Sequence, residues 1–333
     1  MVLGNWLDHC HGNALLCGKG EEVGVYSLLA LDATRPNRVD APAVSCYTSS
    51  NPSPTAGAPE FRRRRGRATG FELTILGSGS AGNLAFLSTE RTRLLIDAGL
   101  SKRETLKRME SAGLRPNGLA GIVVSHEHND HAAHLGALAE EFNAPVYLAE
   151  GTREALPETR VLPRVERFRP GHRFVVGDIE MIPFAVPHDA KEPVAFRVET
   201  QGVKLVLAVD LGFLTGLVKQ QLRGCDCLIL EANHDTEMLR RGPYPWFIKQ
   251  RVMSRLGHLS NEAVADFLEC DFDGSAAYLV LAHLSQNNNS PEIARLAAEQ
   301  ALERRRARFP LSLVRDPEIR VAPRRAPLAP LRF

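Results

Sequence analysis

From residue 71 onward the chain alternates apolar and polar positions in short runs, and the period changes between that of a strand and that of a helix. Runs at 71–76, 84–88 and 93–96 read as strands, 102–111 as a helix and 121–124 as a strand again. Beyond a histidine-rich stretch come a helix-like segment at 132–142 and strands at 145–148, 174–176, 179–183, 194–198 and 203–209. Residues 217–222 have a helical pattern, 227–230 that of a buried strand, 261–268 a helix, 277–282 a strand, and 291–305 a helix with Pro291 near its start. Strands in both hairpin and crossover arrangements, with helices spaced between them, predict an α/β protein with two sheets packed face to face and helices outside.

The ends of the chain break this pattern. Residues 41–59 are rich in Pro, Ser, Thr and Ala and lead into Arg62, Arg63, Arg64, Arg65 and Arg67, so 1–70 is expected to be a disordered extension. Residues 303–333 are expected to form a basic Pro/Arg-rich tail, which leaves 71–302 as the main folded domain. At 333 residues and 44% hydrophobic the chain is large enough for a full core. The net charge is +2, but 1–70 and 301–333 together hold 17 Lys and Arg against 9 Asp and Glu, which leaves the middle at about −6. A middle of that sign offers no broad nucleic-acid-binding face, so a polyanion would have to be held locally by metals and a few basic side chains. Six cysteines without a pairing pattern and an N-terminus without the features of a signal peptide point to a cytoplasmic setting, and no apolar run is long enough for a membrane span.

The chemistry is concentrated in SHEHNDHAAH, residues 125–134, where a buried strand ends. Side chains two apart in an extended loop point the same way, so His126 and His128 can grip one ion while Asp130 and His131 turn toward another. Further donors stand where later apolar runs stop: His188, Asp210 and His283. A carboxylate such as Asp210 can bridge two cations about 3.5 to 4 Å apart with a hydroxide between them. Gly77, Gly79 and Gly82 spell a literal GxGxxG, but a hairpin rather than a helix is expected next, so they read as a tight turn near the metal site and not as a nucleotide-cofactor loop. His134 can only support His131 or face solvent, Cys225 and Cys227 read as core thiols, and His234 and His258 lie near strand ends or helix starts.

These residues resemble the metallo-β-lactamase fold, an αββα sandwich of two mixed sheets flanked by helices with a dinuclear site along one edge. The finer motifs are similar to those of one branch, the YycJ/WalJ (VicX) proteins: GSGSAGN at 77–83, LIDAG at 95–99, HDAKEPVAF at 188–196, LEANHD at 230–235, GPYPW at 242–246, GHLSN at 257–261 and LAHLSQNNN at 281–289. The resemblance implies His126, His128 and His188 on one metal, Asp130, His131 and His283 on the other, and Asp210 between them. It implies two divalent ions, Zn2+ or Mn2+ with iron also compatible, and a hydrolase, associated in that branch with DNA exonuclease activity and with cell-wall and division signalling. Similarity to tRNase Z in the last third favours nucleic-acid phosphodiesters, with one departure: Leu230 stands where those enzymes have a histidine before the motif glutamate, so His234 or His258 would have to protonate the leaving group.

The expected reaction is attack on phosphorus by a metal-bridging hydroxide, oriented by Asp130, on a DNA substrate. Asn287, Asn288 and Asn289 would hold the phosphate or simply order their loop, and Tyr244 and Trp246 would stack on a base or pack a turn. The alternative is a small thioester, lactone or β-lactam hydrolase, since the same hydroxide attacks carbonyl carbon equally well.

Overall fold

The computed structural model describes residues 70–158, 160–309 and 316–333. The expected disordered extension lies outside the described residues except for Gly70. Strands and helices, in chain order, are β1 (Glu72–Gly77), β2 (Leu84–Ser88), β3 (Arg93–Ile96), α1 (Lys102–Ser111), β4 (Gly121–Val123), α2 (Asn129–Ala132), α3 (Leu135–Glu141), β5 (Val146–Ala149), α4 (Glu150–Ala155), β6 (Val165–Phe168), β7 (Phe174–Val176), β8 (Ile179–Ala185), β9 (Val194–Thr200) and β10 (Val203–Ala208). They continue with α5 (Gly216–Gln221), β11 (Cys227–Glu231), α6 (Thr236–Arg241), α7 (Trp246–Val252), α8 (Asn261–Cys270), β12 (Tyr278–Ala282), α9 (Pro291–Arg308), β13 (Glu318–Val321) and β14 (Leu331–Arg332).

The strands form two seven-stranded sheets, ordered β14-β1-β2-β3-β4-β5-β6 and β13-β12-β11-β10-β9-β8-β7. Each sheet is mixed: hairpins pair β1 with β2 and β2 with β3, while β3 to β6 run parallel. The second repeats the plan, with β7 to β10 antiparallel and β10 to β13 parallel. Alternation along the strands explains the layering. Leu73, Ile75, Leu87, Leu94 and Ile96 of one sheet meet Met181, Phe196, Leu205, Ile229 and Val280 of the other in the central core. The opposite faces carry Leu76, Phe86, Leu95 and Ile122 toward α1 and α3, and Val206, Leu228, Leu230 and Leu279 toward α5, α8 and α9. Each fully buried Leu or Phe contributes roughly 1.5–3 kcal/mol of transfer free energy, so both faces of both sheets favour this αββα sandwich.

The structure adds α4, β6, α6 and α7 and carries α9 to Arg308, past the expected start of the tail at 303, and two further segments differ from the sequence reading. Residues 316–333, expected as a tail, add β13 beside β12 and β14 beside β1. Leu328 and Leu331 are buried in the central core, so a few apolar residues dock a segment whose composition reads as solvated. The single helix expected over 132–142 is two helices, broken at His134, whose N–H donates to the Ala98 carbonyl. The GxGxxG segment joins β1 to β2 as a hairpin, with the Gly82 N–H on the Gly79 carbonyl at 2.9 Å. Among the described residues no helix is long and apolar enough to cross a membrane.

Candidate metal centre

The loop after β4 is gripped by backbone on two sides. The Asn83 N–H donates to the Asp130 carbonyl at 2.7 Å, and the Ala98 N–H to the His131 carbonyl at 2.6 Å. A Cβ on Gly99 would come within 1.8 Å of the Asp130 carbonyl oxygen, so only glycine lets the turn after β3 lie against this loop. His128 immediately precedes α2, its carbonyl accepting from the His131 and Ala132 N–H groups, which places Asp130 and His131 on the first turn.

The second sheet delivers its donors differently. In β10, β11 and β12 the residues Ala208, Leu230 and Leu281 stand side by side. Asp210, Glu231 and His283 therefore leave their strands at nearly one level. Asp210 and His283 adopt left-handed conformations, φ 57° and 54°, as does Asp97 after β3, φ 64°. Such conformations are costly for residues with a Cβ and concentrate where the fold must aim a side chain.

All seven side chains singled out in the sequence converge. The donor atoms of His126, His128 and His188 lie within 4.8 Å of one another, as do those of Asp130, His131 and His283, and those of His126, His131 and Asp210. A further group joins Asp210 and His283 to Glu231 and His258. The hydrogen bonds set the ring tautomers. His131 Nδ1 donates to Asp97 Oδ2 at 2.8 Å, His283 Nδ1 to Glu231 Oε1 at 2.8 Å, and His188 Nδ1 to the Gly257 carbonyl at 3.1 Å. The Ser125 hydroxyl hydrogen goes to Asp97, so its oxygen accepts from His126 Nδ1 at 3.0 Å. In these four rings the Nε2 lone pair is the one left for the centre. His128 is the exception, with its Nδ1 3.2 Å from His188 Nε2.

These atoms fit cations and little else. His126 Nε2 is buried and makes no hydrogen bond, and the buried Asp210 Oδ2 faces the His131 Nε2 at 2.5 Å. Burial, reinforced by His131, holds His126 well below the usual histidine pKa, so its inward nitrogen is a bare lone pair. Burial also opposes charge on Asp210, yet His283 and His131 hold its carboxyl well below the ordinary range. Burial is the largest single effect and lowers both His131 and His283, but the carboxylates around them together outweigh it, Asp210 with Asp97 and Asp130 raising His131 well above 6.5 and Asp210 with Asp130 and Glu231 raising His283 to about 9. Asp97, Asp130, Asp210 and Glu231 bring four formal negative charges to the cluster. Two divalent cations would balance them, with lone pairs on five imidazoles completing the donor set.

Several residues that organise the centre were not singled out from the sequence. Glu231, fully buried at the end of β11, accepts from His258 and His283 on Oε1, both at 2.8 Å. Its Oε2 accepts from the backbone N–H groups of Leu211 at 3.0 Å and Leu259 at 3.2 Å. Burial would raise its pKa, but His258 above all brings it down to about 2. Asp97 and Ser125 orient His131 and His126, and Asn83 Nδ2 lies 2.8 Å from His131 Nε2 and donates to Asp130 Oδ2 at 3.3 Å. Their sequence signal was membership of the quoted motifs LIDAG, LEANHD and GSGSAGN, which marks a residue without stating its task.

The two histidines expected as alternative proton donors are separated. His258 sits in the cluster, with Nδ1 on Glu231 and 3.3 Å from Asp210 Oδ1. His234 is buried behind it, its carbonyl taking the Asn261 N–H and its Nδ1 without a partner, and it makes no hydrogen bond or ion pair to the seven. Burial holds its pKa down to about 4, so it is neutral at neutral pH. Of the asparagines, Asn288 and Asn289 are buried, and Asn289 exchanges hydrogen bonds with Asn261, both at 2.9 Å, so this pair orders the loop. Ser290 caps α9.

A family model described as a beta-lactamase superfamily domain matches residues 92–284. The chain is 39% identical over 237 residues to the exodeoxyribonuclease YycJ of Bacillus anthracis, covering 70% of this chain and 90% of that protein. It is 36% identical over 232 residues to the exodeoxyribonuclease WalJ of Streptococcus pneumoniae serotype 2 (strain D39 / NCTC 7466), covering 68% and 86%. Among solved structures it resembles the metallo-beta-lactamase fold protein YhfI from Bacillus subtilis, with TM-score 0.58, 17% identity and coverage of 78% of this chain and 99% of that one. The match to the domain model and the length of the match to YycJ and WalJ agree with the two sheets and the edge cluster: this chain belongs to the beta-lactamase superfamily, in its metallo-β-lactamase fold, alongside YycJ and WalJ.

Proposed function

We infer that the protein is a hydrolase dependent on two divalent cations, zinc or manganese, that cleaves phosphodiesters of DNA as an exonuclease in the cytoplasm. The observation that carries the metal dependence is the convergence of the seven donor side chains, with the inward lone pair of His126 on a buried atom that has no hydrogen-bond partner. The substrate follows from the likeness to YycJ and WalJ, both named exodeoxyribonucleases. His126, His128 and His188 would hold one cation, Asp130, His131 and His283 the other, with Asp210 between them. Bound cations supply charge stabilisation for a phosphoryl group and acidify water toward neutral pH.

The chain's own residues do the rest. Asp97, Ser125, Glu231 and the Gly257 carbonyl fix four imidazoles by their outer nitrogens, so little reorganisation remains when substrate binds. Asp130 is partly exposed, so its carboxylate can also orient water at the open side. His258 is the proton donor for the leaving oxygen: burial opposes its charge, but Glu231 and Asp210 raise its pKa well above 6.5, and Nδ1 is tied to Glu231, leaving Nε2 for the substrate.

The test is elemental analysis of the purified protein together with assays on end-labelled single- and double-stranded DNA, RNA, a thioester, a lactone and a β-lactam. Asp210→Asn is expected to lower DNA hydrolysis by about a hundred- to a thousandfold and to reduce bound metal, the scale on which one group of a preorganised site matters. Full activity in Asp210→Asn, or turnover confined to the carbonyl substrates, would end the proposal.

A further inference from the structure

Between β11 and α8 the chain inserts α6 and α7, joined by the GPYPW turn, and this arm has a character unlike the rest of the middle of the sequence. Residues 236–255 contain Arg240, Arg241, Lys249, Arg251 and Arg255 against one acid, Glu237, within a middle region that is net acidic. Trp246 and Phe247, adjacent at the start of α7, are 62% and 64% exposed, and Leu256 just beyond is exposed as well. Two neighbouring aromatics held in water on a short helix are costly to leave uncovered, and the charge around them selects what covers them.

The arm is tied to the metal centre at several points. Arg251 Nε donates to Asp189 Oδ2 at 2.6 Å, and Asp189 Oδ1 lies 3.4 Å from His188 Nε2. The His258 N–H donates to the Val252 carbonyl at 2.9 Å, and Gly257 holds His188. On the other flank, Asn287 Nδ2 donates to the Tyr244 hydroxyl at 3.2 Å, four residues beyond His283. Lys249, buried, donates to the Arg240 carbonyl at 2.6 Å and locks α7 onto α6. Arg240 and Arg241 share the single carboxylate of Glu237, which leaves the pair with surplus positive charge on side chains 60% and 84% exposed.

We propose that this arm is a binding site for single-stranded nucleic acid, in which Trp246 and Phe247 stack on unpaired bases and Arg240 and Arg241 neutralise the phosphates of the strand whose end lies in the metal centre. Unpaired bases expose π faces of any sequence, and a run of cations beside an aromatic platform is how a strand is held without base reading. A duplex offers no such faces except at its ends. The inference rests on the phosphodiesterase reading and adds which part of the chain selects a polymer over a small phosphate ester.

The experiment measures binding of the metal-loaded protein to a fluorescein-labelled oligothymidylate with phosphorothioate linkages, by anisotropy over a salt series. It also measures the ratio of kcat/KM on the natural-linkage oligomer to that on a small chromogenic phosphodiester. Trp246→Ala with Phe247→Ala is expected to weaken oligomer binding at least about tenfold, equivalent to ~1.4 kcal/mol, and to lower the ratio by a similar factor. Trp246→Phe keeps a ring and is expected to stay within about threefold of the parent. Arg240→Ala with Arg241→Ala is expected to make the slope of log K against log salt shallower by roughly 1.4, at about 0.7 per phosphate contact on a single strand. All these side chains are exposed, so thermal melting should match the parent and exclude misfolding. Oligomer affinity and ratio within about twofold of the parent in both double variants overturn the proposal. So does a dimer that the aromatic pair alone disrupts while oligomer binding persists. If the parent binds and cleaves no oligonucleotide at all, the phosphodiesterase reading itself has failed. If the parent degrades DNA and the arm variants do so equally well, only the arm assignment falls.

Discussion

The two halves of the sandwich build their sides of one centre by different means. The first half places His126, His128, Asp130 and His131 on a single loop, locked by backbone hydrogen bonds to the turns at Asn83 and Ala98. The second half contributes His188, Asp210, Glu231, His258 and His283 from separate segments, and alignment rests on the parallel register of β10, β11 and β12. The loop is therefore a local object that the rest of the fold holds. The strand-end side exists only when the second sheet is fully formed. Each half also relies on one carboxylate beneath its histidines, Asp97 on the loop side and Glu231 on the sheet side.

Removing those carboxylates one at a time should break the centre unequally. Glu231 receives four hydrogen bonds and orients two histidines, whereas Asp97 receives three and orients His131 directly. Glu231→Gln is expected to weaken metal affinity by about 100-fold and Asp97→Asn by about 10-fold, the span usual for groups that orient ligands. Competition with a chromophoric chelator, with metal content per chain, measures both. Equal losses in the two variants would mean that the halves are not separately supported.

His234 lies on the sheet side and makes that side sensitive to acid. Its folded pKa of about 4 is below the ordinary 6.5, so between these values the unfolded chain binds a proton that the folded chain refuses. Stability contributed by the neutral ring is complete above about pH 6.5, falls as pH drops toward 4, and changes no further below that. The full loss is at most about 3 kcal/mol from the size of the shift. Denaturant melts of the parent and of His234→Asn across that range, in excess metal to keep the ligand histidines occupied, should differ in slope, the parent being steeper. Parallel curves would show that His234 does not titrate in this window.

The same division explains what could be read before the fold was known. Strands with apolar alternation on two buried faces, such as 84–88 and 203–208, announced themselves, and so did the dense HEHNDH loop. The strand-end donors were legible as a set, because each follows an apolar run; no single one carried the information. Asp97 and Glu231 were not assigned a task, since a carboxylate that acts by holding a histidine looks in sequence like any acid after a strand. Edge strand β6 buries only Phe168, and α6 and α7, separated by Pro243 and Pro245, are each too short to show a helical period. β13 and β14 were hidden by composition, because their Arg and Pro neighbours mask the few residues that dock.

The mildest way to separate the halves compares two helix caps. Ser101 accepts from the Glu104 N–H at the start of α1, in the first half, and Ser260 accepts from the Ala263 N–H at the start of α8, in the second. Either serine to alanine should cost about 1 kcal/mol, or a fall of roughly 2–4 °C in Tm. Their reach should differ. The Ser260 carbonyl and side chain begin α8 only two residues from His258, and His234 bridges to this same residue, so fraying there loosens the segment whose Leu259 N–H is held by Glu231. Ser101 opens a helix that contributes no donor to the centre. Ser260→Ala should therefore lower kcat on DNA severalfold while Ser101→Ala leaves it unchanged at equal loss of Tm. A matching fall in kcat for both would place the coupling in global stability, not in the strand-end side of the centre.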